Sequence, residues 1–245
     1  MALKLGVFGA AGRMGKAVVR TAQARGHQLV AAVGGQQRLG EDVGLLAGLN
    51  TLGVKLVGAP ASDHRVDVWV DFAPAAGIEA RAAHIARTGA AWVCASTGLS
   101  AAQLQLLDET SRHAPVLWEP NFSLGVHVLS ALVKQAALQL GAAFHLEVVE
   151  AHHGAKRDAP SGTAKRLVEA SGRADAPIHA LRGGDVIGDH TVHFLGDGER
   201  LELTHRATDR DLFARGAMTA AAWLSGRAAA RYTLADVLRP SVDSL

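Results

Sequence analysis

The chain reads as an α/β protein: an N-terminal parallel sheet, then a second α+β domain carrying an open mixed sheet. Three observations predict this. Short apolar runs alternate with helical stretches over the first 120 or so residues, a glycine-rich turn follows the first run, and the alternation gives way to a period-two hairpin in the second half. The 245 residues suit one or two domains, and 49% hydrophobic with 20% charged residues is the balance of a chain with a sizeable core.

Leu3 to Phe8 is a short apolar run closed by Gly9, the pattern of a buried strand. Gly9-Ala10-Ala11-Gly12-Arg13-Met14-Gly15 follows, then a helix from Lys16 to Arg25 with Ala17, Val18 and Ala22 at helical spacing and Gly26 as its stop. Gln28 to Val33 is the second strand. Strand, glycine turn, helix and strand within about thirty residues are the dimensions of a Rossmann-type dinucleotide-binding unit. The unpaired amides and dipole of the helix start favour a pyrophosphate, and the glycines clear its approach. The spacing is G-x-x-G-x-x-G, not the commoner G-x-G-x-x-G, and Arg13 adds a cation at the helix head.

Further units repeat the pattern. Val66 to Phe72, Ala90 to Ala95 and Pro115 to Trp118 read as strands. Helices are expected after Pro74 up to Thr88 and from Ser100 to Ser111. Ligands of such sheets bind beyond the C-terminal strand ends. Phe72, Ser96-Thr97 and Asn121-Phe122 are therefore expected toward a nicotinamide. Cys94, the single cysteine, lies inside a strand as a small buried hydrophobe and excludes an internal disulfide.

After a helix from Val126 to Leu140, Phe144 to Glu150 reads as a strand leading into Glu150-Ala-His-His-Gly-Ala-Lys-Arg-Asp-Ala-Pro-Ser-Gly-Thr-Ala164 and another helix. Thr191 to Leu195 and Arg200 to His205 form a hairpin over Gly196-Asp197-Gly198, and 215–238 reads as helical. His152, His153 and Lys156 supply proton donors and cations, and Ser161-Gly162-Thr163 opens a helix as a seat for a carboxylate. A small carboxylate-bearing molecule is the expected ligand. No metal is expected, because adjacent histidines on an extended chain point apart and neither H-E-x-x-H nor a cysteine joins them.

This segment resembles the signature of the dihydrodipicolinate (4-hydroxy-tetrahydrodipicolinate) reductase family. The likeness extends to Gly9–Gly15, Asp71-Phe72, Ser96-Thr97-Gly98, Asn121-Phe122-Ser123, Gly125, Gly188-Asp189-His190-Thr191, Gly198 to His205 and Trp223 to Gly226. The resemblance implies a Rossmann domain, a tetramer-forming open sheet and a C-terminal segment returning to the first domain. It gives domains at 1–123 (dinucleotide binding), 124–213 (substrate binding and oligomerisation) and 214–245 (helical).

The family's reaction is NAD(P)H-dependent reduction of 4-hydroxy-tetrahydrodipicolinate, through its dehydrated cyclic imine, to tetrahydrodipicolinate in lysine and diaminopimelate biosynthesis. His152 and Lys156 match the family's proton donors, and His153, Ser161, Gly162 and Thr163 its substrate contacts. The coenzyme candidates are Gly9, Ala10, Ala11, Gly12, Arg13, Met14, Gly34, Phe72, Ala95, Ser96, Thr97, Glu119, Pro120, Asn121 and Phe122. Gly34-Gly35 stand where an acidic residue commonly ends the second strand, and the stretch before Gly184 is shorter than in many members. Closure of the two domains is expected to bring coenzyme and substrate together.

A nucleotide-sensing protein without turnover and an aspartate-type amino-acid dehydrogenase are the competing readings. Intact His152 and Lys156 argue against the first, and the second needs no histidine segment. The net charge of +2 calls for no nucleic acid or anionic membrane. No run reaches the roughly 18 apolar residues of a membrane helix. Lys4 and the apolar run after it imitate a secretion signal, but Arg13 and Lys16 arrive too early for one. A reducing cytoplasm is expected.

Overall fold

The structure is a computed structural model and describes residues 2–61 and 65–239. The chain divides into two compact units, Met1–Phe122 with Phe213–Leu245, and Ser123–Leu212.

The first unit runs β1 (Lys4–Phe8), α1 (Arg13–Ala24), β2 (Gln28–Val33), α2 (Val43–Leu46), β3 (Val68–Asp71), α3 (Ile78–Thr88), β4 (Ala91–Cys94), α4 (Ala101–Thr110) and β5 (Pro115–Trp118). Their apolar runs are continuous, without alternation, because both faces of the sheet are covered; all four residues of β3 and of β4 are buried. The packing explains one glycine directly. Gly6 pairs with Trp69 across β1 and β3, and a Cβ on Gly6 would lie 2.5 Å from the indole. The ring instead crosses β1 and stacks on Phe8 at a centroid distance of 4.1 Å. Burying a large side chain of this kind stabilises by about 1.5–3 kcal/mol.

The second unit contains α5 (Leu124–Leu140), β6 (His145–His152), α6 (Gly162–Ser171), β7 (Ile178–Arg182), β8 (Gly188–Gly196) and β9 (Glu199–Ala207). The chain then continues through α7 (Asp211–Leu224), β10 (Ala230–Tyr232) and α8 (Leu234–Leu238). The first sheet has the order β10-β5-β4-β3-β1-β2 and all its pairings are parallel. The second has the order β7-β6-β8-β9, with β6–β7 parallel and the other two pairings antiparallel, so the expected α/β architecture with a smaller mixed sheet is what forms.

Helices α5 and α6 cover one face of the mixed sheet, over a core that includes Leu129, Val133, Leu146, Val148, Leu167, Val192 and Phe194. The opposite face is polar: His179 and His145 bond Glu147, Thr191 bonds Thr204, and His193 pairs with Glu202.

Three expectations need correction. The 215–238 segment is not wholly helical: Ala230–Tyr232 leaves the helix at Gly226 (φ +76°) and adds a parallel strand beside β5. The hairpin arms are longer than their strictly alternating cores, because Gly188–Thr191 and the residues to Ala207 continue the pairing. Strand β6 reaches His152, two residues beyond its expected end, which changes the reading of the site.

Candidate functional site

The period-two geometry of a strand places alternate residues on one face. Along β6 the residues on the covered face are Leu146, Val148, Glu150 and His152. The same alternation that feeds two aliphatic side chains into the core therefore sets a carboxylate and an imidazole side by side at its end. His152 belongs to this strand and is not on a loop beyond it. On β8 the matching face carries Gly188, His190, Val192 and Phe194, and His190 pairs directly with Glu150. Arg182 ends β7 opposite His152.

These side chains form one buried network. Glu150 Oε1 accepts the Ser161 N–H at 3.1 Å and Arg182 Nη2 at 2.7 Å. Its Oε2 accepts Arg182 Nη1 at 2.9 Å and bonds His152 Nδ1. Burial raises the Glu150 carboxyl, but the Arg182 fork, His152 and the Ser161 amide outweigh it and hold the group below the ordinary carboxylate range. Ser161 Oγ accepts Ala164 N–H as the cap of α6 and bonds His190 Nε2 at 3.2 Å. Burial, with His152 next to it, pushes His190 down to about 4, so its ring is neutral at pH 7.

Glu150, His152 and His190 each bring one ligand atom within 4.8 Å of the others, a spacing a metal ion would accept. The carboxylate argues otherwise. All four of its acceptor directions are engaged, two of them by an arginine whose charge would repel a cation.

The remaining candidates of this segment lie close by in the chain. The His153 N–H donates to the Val186 carbonyl at 2.6 Å, and Lys156 N–H donates to the His153 carbonyl at 3.1 Å, folding the segment into a turn. Lys156 Nζ reaches Asp158 at 2.8 Å, and the Asp158 carbonyl in turn accepts Arg182 Nη2 at 2.7 Å. Gly162 and Thr163 are the first two residues of α6, and nothing lies within 4 Å of the space a Gly162 Cβ would fill.

In the first unit, the coenzyme candidates gather at the C-terminal ends of the parallel strands. The β1–α1 turn holds Gly9, Ala10, Ala11 and Gly12, while Arg13 and Met14 open α1. Gly9 sits at φ +75°, and a Cβ there would meet the Ala73 backbone at 2.9 Å. A Cβ on Gly15 would lie 2.1 Å from the Gly9 carbonyl oxygen. Gly12 caps α1 with no side-chain hydrogen bond to its amides. An uncapped helix start in a turn closed to side chains fits a dinucleotide pyrophosphate, so the residues present suit NAD(P)H.

Gly34 follows β2 and bonds the Val57 carbonyl, and Phe72 follows β3 with its ring 6.3 Å from the buried ring of Phe122. Ala95 and Ser96 are buried, Thr97 is exposed, and Glu119, Pro120 and Asn121 lead from β5 to Phe122. The Ser96 hydroxyl is spent on the Ala73 carbonyl at 2.8 Å, so that side chain ties two strand-end loops together. Burial, with Asp71 next to it, pushes the Cys94 thiol up to about 12, which leaves it inert.

Reasoning from sequence assigned no role to Asp71, Arg81, Arg182 or His190. Asp71 accepts from Ala73 N–H, Arg81 and Trp92, and Arg81 also binds the Pro74 and Ala76 carbonyls, fixing the loop that carries Phe72 and Ala73. Its signal was a carboxylate inside an apolar strand. Arg182 had none, since β7 shows neither an apolar run nor alternation.

A parallel sheet with a glycine-cradled dinucleotide seat, joined to a second unit that holds an acid–base network, defines the two-domain NAD(P)H-dependent reductases. The comparisons are more specific. Family models described as dihydrodipicolinate reductase, N-terminus and C-terminus, match residues 3–122 and 125–238. A 4-hydroxy-tetrahydrodipicolinate reductase of Anaeromyxobacter dehalogenans is 46% identical, covering 96% of this chain and 97% of that protein. One of Acinetobacter baumannii is 40% identical, covering 96% of each. The fold is shared with a dipicolinate-bound dihydrodipicolinate reductase of Paenisporosarcina sp. TG-14, at a TM-score of 0.79 and 21% identity over 97% of this chain and all of that one. The chain belongs to the dihydrodipicolinate reductase family. It is an NAD(P)H-dependent reductase of amino-acid biosynthesis.

Proposed function

We propose that the chain carries out its family's reaction, reducing 4-hydroxy-tetrahydrodipicolinate through its dehydrated cyclic imine to tetrahydrodipicolinate in lysine and diaminopimelate biosynthesis. His152 and Lys156 donate protons, and His153, Ser161, Gly162 and Thr163 receive the substrate's carboxylates. The observation that carries this reading is the network joining His152 to the start of α6 through Glu150 and Ser161. It fixes a titratable ring relative to a carboxylate seat.

NADPH or NADH supplies the hydride when bound. Gly9, Ala10, Ala11 and Gly12 offer backbone to its pyrophosphate, with Arg13 and Met14 at the helix head and Gly34 toward the adenosine. Phe72, Ala95, Ser96, Thr97, Glu119, Pro120, Asn121 and Phe122 form the nicotinamide end. On the other unit, the Gly162 and Thr163 amides and the His153 ring orient the dicarboxylate. Its two negative charges favour the protonated form of His152. Lys156 exchanges its bond to exposed Asp158 for the substrate.

Residues 1–123 with 214–245 act as the coenzyme domain, and 124–213 as the substrate and assembly domain. The same reading takes the protein as a homotetramer of the cytoplasm, assembled through the open face of the mixed sheet, where Leu181 is 57% exposed. The deciding experiment couples the enzyme to the synthase that makes the substrate and follows NAD(P)H absorbance. Oxidation of NAD(P)H that depends on the synthase supports the reading. No oxidation with saturating substrate returns the protein to the nucleotide-sensing class.

A further inference from the structure

Glu150 has no exposed surface, yet it is ionised and holds four hydrogen bonds. Buried ion pairs of this kind can often be replaced by apolar residues without loss of stability, so stability alone gives no reason for one here. Its position on the strand supplies a reason. Glu150 and His152 share a face of β6, and Arg182 reaches across from β7 to grip both carboxylate oxygens at 2.7 and 2.9 Å. A two-pronged grip sets the plane of the carboxylate as well as its place.

We propose that Glu150, oriented by Arg182, is the positioning residue of His152: its carboxylate accepts a hydrogen bond from Nδ1–H, turns Nε2 toward the substrate and sustains the imidazolium in a buried setting. The inference rests on the donor role given to His152 above. Gly188 of β8 supplies an independent sign of where Nε2 is used, since a Cβ there would lie 3.1 Å from that nitrogen. The missing side chain leaves Nε2 an approach. Donation sends the Nε2 proton to the substrate and leaves a neutral ring whose Nδ1–H stays on Glu150; water restores the proton.

The charges around the ring explain why a carboxylate is needed. From β6 comes Glu150, from β7 Arg182, from β8 the ring of His190 edge-on at 5.2 Å, and from the turn Lys156 with its partner Asp158. Burial, Lys156 and Arg182 push the ring toward its neutral form, and Glu150 is the group that opposes them. Neutral His190 adds no competing charge.

The test follows the His152 ring by NMR titration, alongside pH profiles of kcat/KM, in Glu150→Gln, Arg182→Lys and His152→Gln. In Glu150→Gln, removing the opposing charge moves the ring pKa down by about 1–3 pH units. The alkaline limb of kcat/KM moves with it, because a donor must be protonated. The expected fall in kcat is about 10–100-fold, with little change in KM. Arg182→Lys keeps the charge but loses the grip, and lowers kcat about 10-fold while the ring titration stays in place. If Glu150→Gln does not fold, Glu150→Asp, which withdraws the oxygen from Nδ1, takes its place with the same fall in kcat. A His152 titration and a pH profile superposable on the wild type, with only thermal stability lowered, would overturn the inference and make Glu150 a structural residue. Wild-type turnover in His152→Gln instead overturns the donor role itself, a separate result that the ring titration does not share.

Discussion

The coenzyme turn and the acid–base strand are built from opposite materials. Between Gly9 and Gly15 the atoms proposed to meet the coenzyme are backbone amides, in a turn where a Cβ on Gly9 or Gly15 would strike backbone. At the end of β6 the atoms proposed to act are side chains, and the buried charge of Glu150 is answered by Arg182, with the His190 ring kept neutral. A backbone site is limited by volume. A side-chain site is limited by charge and protonation. Substitutions that add a methyl group should therefore injure the first, and those that alter a proton or a charge should injure the second.

The sharpest test of that division lies at the proposed proton donors. His152→Gln and Lys156→Ala should each lower turnover by about 10²–10³-fold, the scale of positioned proton transfer. Gln still offers an N–H to Glu150, and Lys156 bonds only exposed Asp158 among the contacts described, so circular dichroism and Tm should stay near wild type. A variant with normal turnover would remove its residue from the mechanism. Gly15→Ala tests the other material. Its methyl would sit 2.1 Å from the Gly9 carbonyl oxygen and 2.7 Å from Ala10 Cα, both backbone, so the turn itself must move. Overpacking of this kind costs about 1–3 kcal/mol. Coenzyme binding measured by fluorescence should weaken about 10-fold or more for NADH and NADPH alike. Unchanged affinity for both would mean that the pyrophosphate does not use this turn.

The same division explains what the sequence made legible. Short apolar strands and glycine turns leave local marks, so β2 and β5 could be placed to the residue and Gly9, Gly12 and Gly15 singled out. The His-His-x-x-Lys segment was visible as chemistry, but its ordering was not. Glu150 and His152 are two residues apart, and only the period of a strand running to His152 makes them neighbours. Arg182 and His190 are neighbours through sheet pairing, across 32 and 40 residues of chain, and no local pattern encodes that. Strand β7 escaped notice because its residues are mostly exposed and its run, Ile178-His-Ala-Leu-Arg182, does not alternate. Strand β10 was hidden because three residues are too few to show a period.

Thr163→Val separates the two materials within one helix start, because it removes a hydroxyl and keeps the amide. The Ser161 cap and the Gly162 amide stay in place. Losing one hydrogen bond to a charged carboxylate costs about 1.5–3 kcal/mol, which is roughly 10–100-fold in KM. Turnover should change less than KM. An unaltered KM would move the carboxylate away from the hydroxyl and leave the seat entirely to backbone.

The smallest expected effect concerns coenzyme choice, the one feature of the backbone site that depends on charge. No carboxylate follows β2 until Glu41, so nothing at Gly34-Gly35 repels the 2′-phosphate of NADPH or accepts the 2′-hydroxyl of NADH. The cation that would favour NADPH is already engaged, since Arg38 grips Glu41 through Nε and Nη2 at 2.9 Å each. That pair is about half exposed, and such pairs are held weakly. A 2′-phosphate can thus win the guanidinium from Glu41 at small cost, and both coenzymes should serve, with NADPH at least as good as NADH. Glu41→Gln frees Arg38 and should raise kcat/KM for NADPH about 2–5-fold while leaving NADH nearly unchanged. Screening should shrink the gain as salt rises, because the contact lies at the surface. Specificity constants for both coenzymes at low and high salt measure this directly. A ratio indifferent to the substitution would reduce Arg38 and Glu41 to an ordinary surface pair. A tenfold or greater wild-type preference for NADH at low salt would go further, placing Glu41 or a backbone group on the ribose hydroxyl and ending the case for dual use.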